Sequence, residues 1–190
     1  MKKSVVITIA IAVILVLGLL LDWQKLLPGI NSSDRDPLPV SRAESFEDCV
    51  EEGNPVMESY PEQCRTKDGR TFTRNIGNEL EKTDLIRLNS PRPGDVVASP
   101  LTVSGEARGY WFFEASFPVY VTNWDGLIIG EGIATAEGNW MTEDFVPFTA
   151  ELTFEKPDLY PERGTLILKK DNPSGLPEHD DALEIPIRFE

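Results

Sequence analysis

Between residue 84 and the end of the chain, short runs of β-forming residues alternate with turn signals, and this pattern limits the fold more than any other feature. The runs are Leu85–Leu88, Leu101–Ala107, Phe117–Thr122, Leu127–Ala136, Phe145–Phe154, Gly164–Lys169 and Glu184–Phe189. Several of them, such as Phe148–Phe154, alternate apolar and polar residues, which is typical of a strand with one buried face. No sustained helical period occurs in this part of the chain. Seven short strands predict an all-β fold, a β-sandwich.

The turns between the strands and the number of strands narrow the type of sandwich. Asn123–Gly126 lies between two apolar runs and predicts a β-hairpin, because Asn, Asp and Gly accept the backbone conformations of tight turns. Seven strands in about a hundred residues are typical of the immunoglobulin-like sandwich, which we predict for residues 84–190.

A series of segments in the same part of the chain follows the order found in one known family. They are Asn89–Val97, Ser99–Gly109, Trp111–Val119, Gly138–Met141, Phe145–Phe148, Leu166–Leu168, Asp171–Gly175 and Ile185–Ile187. With these segments, residues 85–190 resemble the immunoglobulin-like domain of bacterial spore germination. The resemblance implies a β-sandwich that lies outside the cytoplasm.

The N-terminus carries a signal for membrane insertion. Val5–Leu21 is apolar except for Thr8 and Gly18, and as a helix it would be about 25 Å long, the short end of what spans a bilayer. Lys2 and Lys3 precede it and favour a cytoplasmic N-terminus, with the bulk of the chain outside. No small-residue cleavage site follows directly, so we predict an uncleaved, single-pass signal anchor over residues 1–22. Cleavage further along, near Gly29 or Ser32–Ser33, stays open.

Two segments connect the predicted anchor to the sandwich. Residues 23–44 contain Pro28, Pro37 and Pro39 and no apolar period, which predicts a flexible linker. Residues 45–80 form a short element that contains both cysteines of the chain, Cys49 and Cys64. Export and an even cysteine count predict a disulfide between them. On the chain-entropy model, closing this loop stabilises the fold by about 3 kcal/mol.

Composition excludes several classes of function. The 32 acidic and 18 basic residues give a net charge of −14, which argues against nucleic acid as a partner because a polyanion needs a basic surface. One histidine and two cysteines cannot build a multi-histidine or four-thiolate metal centre. We therefore predict neither a cofactor nor a metal.

The densest aromatic segment supplies the candidate binding residues. Trp111, Phe112 and Glu114, together with the nearby Arg108, could form a platform for a polymer or a peptide. On a strand, Trp111 and Phe113 would point to one face and Phe112 and Glu114 to the other, so at least two rings would join the core. Packing in the core is the alternative to the platform.

Two further groups of residues have the side chains of a catalytic or metal site but not the arrangement that such a site needs. Ser174, His179 and Asp180 lie in the single loop Asp171–Asp181, which cannot hold a Ser–His–Asp triad in catalytic geometry. Asp171, Asp180, Asp181 and Glu184 have the hard oxygen ligands that calcium prefers, but not the spacing of a calcium loop.

The function predicted from the sequence is a non-enzymatic, membrane-tethered module of a bacterial envelope that binds a protein or a cell-wall polymer. The alternatives are a hydrolase that acts on the cell wall, an accessory subunit of one, and a structural protein related to spore germination. A spacer whose cysteine element is the ligand site is a further possibility. The small domain and the lack of a base and nucleophile pair argue against an enzyme.

Overall fold

The computed structural model describes residues 40–190. The predicted signal anchor, residues 1–22, lies outside the described residues, as does most of the predicted linker. Residues 41–190 form one compact unit. No helix within residues 40–190 is long and apolar enough to cross a membrane.

Strands dominate the described part of the chain. They are β1 Val56–Met57, β2 Gln63–Arg65, β3 Thr71–Thr73, β4 Ile86–Ser90, β5 Val96–Val97, β6 Leu101–Arg108, β7 Ser116–Thr122, β8 Ile128–Ala136, β9 Phe145–Phe154, β10 Gly164–Lys169 and β11 Ala182–Phe189. Two short α-helices, α1 Phe46–Glu51 and α2 Glu79–Lys82, and two 3₁₀ turns, Gly109–Trp111 and Pro177–His179, complete residues 40–190. The all-β prediction is confirmed, and each of the seven predicted strands is present with ends within two residues of those expected.

The sheet contains one strand more than the sequence predicts. Its order is β4-β6-β9-β8-β7-β10-β11-β5, and β5 pairs in parallel with β11 through Val96 and Val97. Two residues are too few to show a period of two, so this strand has no signal in the sequence. Its parallel pairing with the last strand forms only when the two ends of the domain come together.

The sheet folds over into two packed layers. Phe117 in β7 lies 4.9 Å from Phe148 in β9, measured between ring centroids, and Phe154 in β9 lies 5.3 Å from Phe189 in β11. Neither pair is on neighbouring strands, so these rings meet across the space between the layers. Strand β8 lies between β7 and β9, and its pairing with β9 is interrupted between Glu131 and Thr135. The core between the layers has the arrangement expected for the predicted sandwich.

The disulfide holds a small second core. Cys49 in α1 and Cys64 in β2 are joined, with their Cα atoms 6.0 Å apart, which confirms the predicted bond. Both cysteines are fully buried and pack with Ala43 and Phe46. Strands β1, β2 and β3 form a separate antiparallel sheet beside them. The turn after β2 has Gly69 at φ +93°, a conformation that favours glycine.

The last residues of the predicted linker are part of this cysteine element. Ala43 is 1% exposed, and the Arg70 side chain donates hydrogen bonds to the carbonyl oxygens of Ala43 and Ser41, at 3.0 and 2.5 Å. Residues 41–44 therefore contact the element, although their composition predicts a linker. Arg70 makes these bonds across 27 and 29 positions of sequence, which a local pattern does not reveal.

The cysteine element is fastened to the last strand of the sheet. Asn78, just before α2, forms three hydrogen bonds with β11: its side chain donates to Ala182 O at 2.9 Å, and it exchanges two further bonds with the backbone of Glu184. Lys82 at the end of α2 pairs with Asp181 at 2.6 Å. These contacts place the element against the sheet within a single compact unit.

Candidate functional sites

The predicted aromatic platform is not on the surface. Trp111 is 0% and Phe112 4% exposed, and the Phe112 ring lies 5.2 Å from the Phe117 ring in the core. The segment Gly109–Trp111 is a 3₁₀ turn instead of a strand, so alternate residues do not point to opposite faces. The interpretation of Trp111 and Phe112 as binding residues therefore needs correction, because a buried ring has no free face for a ligand. The rings that this segment exposes are Tyr110 and Phe113.

The two charged residues of the predicted site lie apart from the core. Arg108 has its guanidinium carbon 4.0 Å from the centroid of the Phe145 ring and donates to the carbonyl oxygens of Asp84 and Glu143, at 3.0 and 3.1 Å. Glu114 has φ +50° and begins a tight turn with Ala115 at φ +63°. No hydrogen bond or ion pair within residues 40–190 joins Arg108 to Glu114. Binding by these two residues stays a prediction.

The loop that contains His179 does not assemble a catalytic triad. Ser174 Oγ donates to Asn172 Oδ1 at 2.5 Å, and Asp180 Oδ1 accepts from Asn172 Nδ2 at 3.0 Å. The hydrogen bond of Asn172, and then the charge of Lys169, keep the pKa of Asp180 below its usual value. In the described part of the chain, His179 is hydrogen-bonded only through its backbone, to Leu176. The loop therefore has the bonding of a folded surface turn.

The acidic residues beside this loop are engaged with lysines. Asp180 lies 3.6 Å from Lys169 Nζ, and Asp181 lies 2.6 Å from Lys82 Nζ. No group of three or more residues able to hold a metal ion together occurs within residues 40–190. These ion pairs occupy two of the four carboxylates considered for calcium.

An exposed aromatic pair occurs at the end of the sandwich where β7 turns into β8 and β9 leads into β10. Trp124 is 46% and Tyr160 49% exposed, and their rings lie 5.0 Å apart in an edge-to-face arrangement. Beside Trp124, a groove of about 310 Å³ is lined by Pro157 and Leu159. We call Trp124, Pro157, Leu159 and Tyr160 the loop-end patch. Large rings exposed together on a soluble surface are a common feature of binding sites.

Local hydrogen bonds hold both loops of the patch. Asn123 Oδ1 accepts from the backbone N–H groups of Asp125 and Leu127, at 3.0 and 2.9 Å, which confirms the predicted Asn123–Gly126 hairpin. On the other loop, Phe189 N donates to Pro161 O at 2.7 Å and ties the loop to β11. Tyr160 itself has φ +51°, a conformation that non-glycine residues adopt at a cost and that often marks functional loops.

Sequence reasoning missed this patch for a clear reason. Trp124 is recognisable in the sequence as part of a hairpin, but Tyr160 follows it by 36 positions in a loop without a motif. Only the pairing of β7, β8 and β9 brings the two loops to the same end of the fold. In the sequence, the one feature that could have indicated the patch is Trp124, an aromatic residue within a predicted turn.

Comparison with known protein families gives one match, which covers the larger part of the sandwich. No match is found among curated proteins or among solved structures. One family model matches residues 85–175, from the start of β4 to the loop after β10. The structure continues the same sheet through β11 to Phe189. Residues 85–175 thus match the immunoglobulin-like domain of bacterial spore germination, which confirms the resemblance seen in the sequence over that range.

Proposed function

We propose that this chain is a non-enzymatic, membrane-tethered, extracytoplasmic module of a bacterial envelope that binds a cell-wall polymer through the loop-end patch. In this proposal residues 1–22 anchor the chain in the cell membrane, with the N-terminus in the cytoplasm. The family match supports the extracytoplasmic module. The apolar run Val5–Leu21 behind two lysines supports the anchor.

The observation that carries the binding proposal is the exposed pair of Trp124 and Tyr160. Immunoglobulin-like domains bind ligands through loops at their ends, where a rigid sheet holds the side chains in place. The groove beside Trp124 is also lined by Asn123, Lys156 and Asp158, which supply hydrogen-bonding groups. A sugar ring has an apolar face and a polar edge, so it suits this combination of rings and polar side chains better than a purely apolar ligand does.

The absence of an assembled catalytic group among residues 40–190 supports a binding role over the alternative of a wall hydrolase. Ser174 and Asp180 both bond to Asn172 and not to His179. In the loop-end patch itself, Trp124, Pro157 and Leu159 offer no nucleophile, and no base is hydrogen-bonded to the Tyr160 hydroxyl within residues 40–190.

Co-sedimentation with purified cell-wall sacculi tests the proposal. The full chain in detergent should pellet with sacculi, and W124A and Y160A should each weaken binding by about fivefold, since one aromatic contact contributes about 1 kcal/mol. The matched control is L176A, because Leu176 is similarly exposed, at 48%, but lies in the loop at the other end of β10. All three variants should unfold at the temperature of the parent chain.

The same experiment separates the alternatives. Failure of the parent chain to pellet would overturn the cell-wall proposal. If W124A and Y160A instead lose an envelope protein that the parent chain captures, the ligand is a protein. Release of soluble wall fragments during the incubation, if it is abolished with S174A or H179A, would indicate a hydrolase.

A further inference from the structure

The groove beside Trp124 combines an apolar floor with a polar rim. Its floor is formed by two half-buried residues, Ile129 and Pro157, and Ile129 packs against the core of the sandwich. Its rim is formed by exposed charged side chains, those of Glu155, Lys156 and Asp158. The volume of about 310 Å³ is at the lower end of the range for small-ligand sites, which suits a single residue of a polymer.

Asn123, which also lines the groove, offers an amide donor. It is half-buried, and its Oδ1 accepts from the backbone N–H groups of Asp125 and Leu127, at 3.0 and 2.9 Å. These two bonds fix the amide group of the side chain and leave Nδ2 without an acceptor among the hydrogen bonds of residues 40–190. Because an amide nitrogen donates and does not accept, a ligand atom that bonds to it must be an acceptor, such as a carbonyl oxygen.

The ring of Trp124 has a face that its aromatic neighbour does not cover. Trp124 and Tyr160 pack edge to face, with an angle of 68° between the ring planes. In such a pair one ring presents its edge and the other presents one face, so each ring keeps at least one face free of the other. Since Trp124 is also exposed, the apolar face of a sugar ring can pack on it.

We propose that this groove recognises an N-acetylated amino sugar, and hence the glycan strand of a cell-wall polymer. This inference rests on the proposed function and names the part of the polymer that the loop-end patch binds. An acetamido group carries a methyl group beside a carbonyl oxygen. The methyl group contacts Ile129 and Pro157, the carbonyl oxygen accepts from Asn123 Nδ2, and the sugar ring packs on Trp124. A plain hexose has no group for the first two contacts.

The charges of the groove disfavour the anionic parts of a cell wall. None of Glu155, Lys156 and Asp158 is in an ion pair in the part of the chain that the structure describes. Two carboxylates and one ammonium group repel a polymer that contains phosphate, and the net charge of −14 adds to this repulsion. An N-acetylated sugar is uncharged and is not repelled. A sugar with a free amino group is a cation that the carboxylates attract, so it is the main rival ligand.

Nuclear magnetic resonance of the full chain in detergent tests the ligand with three soluble probes. The trimer of N-acetylglucosamine should shift the indole N–H signal of Trp124 and the side-chain amide signal of Asn123 along saturable curves. Cellotriose has hydroxyl groups in place of the acetamido groups and should bind at least about tenfold more weakly, because it lacks a hydrogen bond and a buried methyl group. The trimer of glucosamine should also bind more weakly. Equal binding of cellotriose, or tighter binding of the glucosamine trimer, would overturn the proposal.

The variant N123D tests the amide donor. Aspartate keeps an oxygen for the two hairpin bonds but has no N–H donor, so the preference for the acetylated trimer over cellotriose should fall by about tenfold. The backbone amide signals of residues 125 and 127 report whether the hairpin persists. N139D is the matched control and should keep the preference, because Asn139 Oδ1 accepts from Met141 N at 3.2 Å in the loop between β8 and β9. A full preference in N123D would overturn the proposal, and the comparison of probes on the parent chain decides it if the hairpin is lost.

Competition for sacculi separates failure of this inference from failure of the proposed function. The acetylated trimer should release the parent chain from sacculi. If the parent chain pellets through Trp124 but is released by a wall peptide and not by the trimer, the proposed function stands and the glycan inference is wrong. If the parent chain does not pellet, the proposed function fails, and saturable binding of the trimer would still support a site for the sugar.

Discussion

At the scale of single residues, Trp111 shows how packing outweighs a missing hydrogen bond. Its side chain is fully buried, and its Nε1 has no hydrogen-bond partner within residues 40–190. An unpaired buried N–H group costs about 1–3 kcal/mol. A buried ring of this size contributes more than that through the apolar area it removes from water. Trp111 is therefore a core residue whose polar atom is tolerated.

We expect W111A to destabilise the sandwich by about 3–5 kcal/mol, because it leaves a large cavity between the layers. W111F should cost less, since it keeps much of the packing and removes the unpaired N–H group. Urea unfolding, followed by circular dichroism, measures both changes. Tyr110 is the matched control, because it is the preceding residue and is 51% exposed, so Y110A should change stability little. A fully stable W111A that loses ligand would revive the predicted platform.

At the scale of elements, the start of α1 depends on an ionised carboxylate. Asp48 accepts hydrogen bonds from the backbone N–H groups of Glu44 and Ser45, both at 3.0 Å, and Ser45 Oγ accepts from Asp48 N. The backbone bond from Glu44 and the hydroxyl of Ser45 lower the pKa of Asp48. This reciprocal pattern is a capping box, which satisfies N–H groups that the helix itself leaves free.

We expect residues 44–52 to lose protection from amide hydrogen exchange as the pH falls below about 4. The pKa of Asp48 is lower in the folded state, so its stabilisation is present above the unfolded pKa and is lost as the pH falls through the folded pKa. Glu52 and Asp68, whose pKa values are also lowered by hydrogen bonds from Ser41 and Thr66, should add to the loss. Exchange rates corrected for the pH dependence of an unstructured peptide measure it.

Two variants identify Asp48 as the group responsible. D48N should reduce protection at pH 6 and flatten its pH dependence in residues 44–52. E51Q is the matched control in the same helix, because Glu51 is an exposed residue. Burial raises the pKa of Glu79, and the charge of Arg92 only partly opposes this shift. The titration of Glu79 therefore changes stability in the opposite direction to that of Asp48: its contribution becomes more favourable to the folded state as the pH falls. A steep pH dependence of hydrogen exchange in residues 44–52 that persists in D48N would contradict the assignment to Asp48.

The junction between the cysteine element and the sheet depends on Gly77. A Cβ atom there would overlap the carbonyl oxygen of Glu184 in β11, and the residue has φ +65°. Gly53 has a similar φ of +75° but open space where a Cβ atom would lie, so G53A reports the conformational cost alone. We expect G77A to cost about 1–3 kcal/mol more than G53A in urea unfolding, because the strand must shift. Equal losses of unfolding free energy in G77A and G53A would show that β11 shifts away from residue 77 at little energetic cost.

At the scale of the whole molecule, long-range pairing closes the fold. Strand β5 lies beside the final strand, β11, and Asn78 bonds to Ala182 and Glu184 across more than 100 positions. The cysteine element and the sandwich are thereby held in one unit of residues 41–190. The groove between Tyr60, Arg92 and Arg188 exists only because of this closure, since its walls come from both parts.

We expect the full chain to remain with bacterial membranes after extraction with alkaline carbonate, because residues 1–22 are predicted to span the bilayer. Immunoblotting of pellet and supernatant measures this. A double variant, V13R/L15R, should move the chain to the supernatant, since each arginine opposes insertion at the centre of the run by about 3 kcal/mol. A soluble parent chain that begins near Asp34 would instead show that the segment is cleaved.

The local features of this protein were determined by its sequence alone. Runs of β-forming residues between turn signals predicted seven strands, and alternation within runs such as Phe145–Phe154 indicated the buried face, because the side chains of a strand alternate between water and the core. The Asn123–Gly126 hairpin followed from turn chemistry, and the Cys49–Cys64 bond followed from export and an even cysteine count. These features depend on residues near one another or on counts, so a linear pattern contains them.

Tertiary structure alone decided where the side chains meet. A 3₁₀ turn placed Trp111 and Phe112 in the core, because a change of backbone at Gly109 redirected rings that a strand would have divided between two faces. Trp124 meets Tyr160 across 36 positions of sequence, through strand pairing that no local window records. The candidate sites of this protein consist of residues that lie far apart in the sequence, because a binding surface combines loops from separate elements.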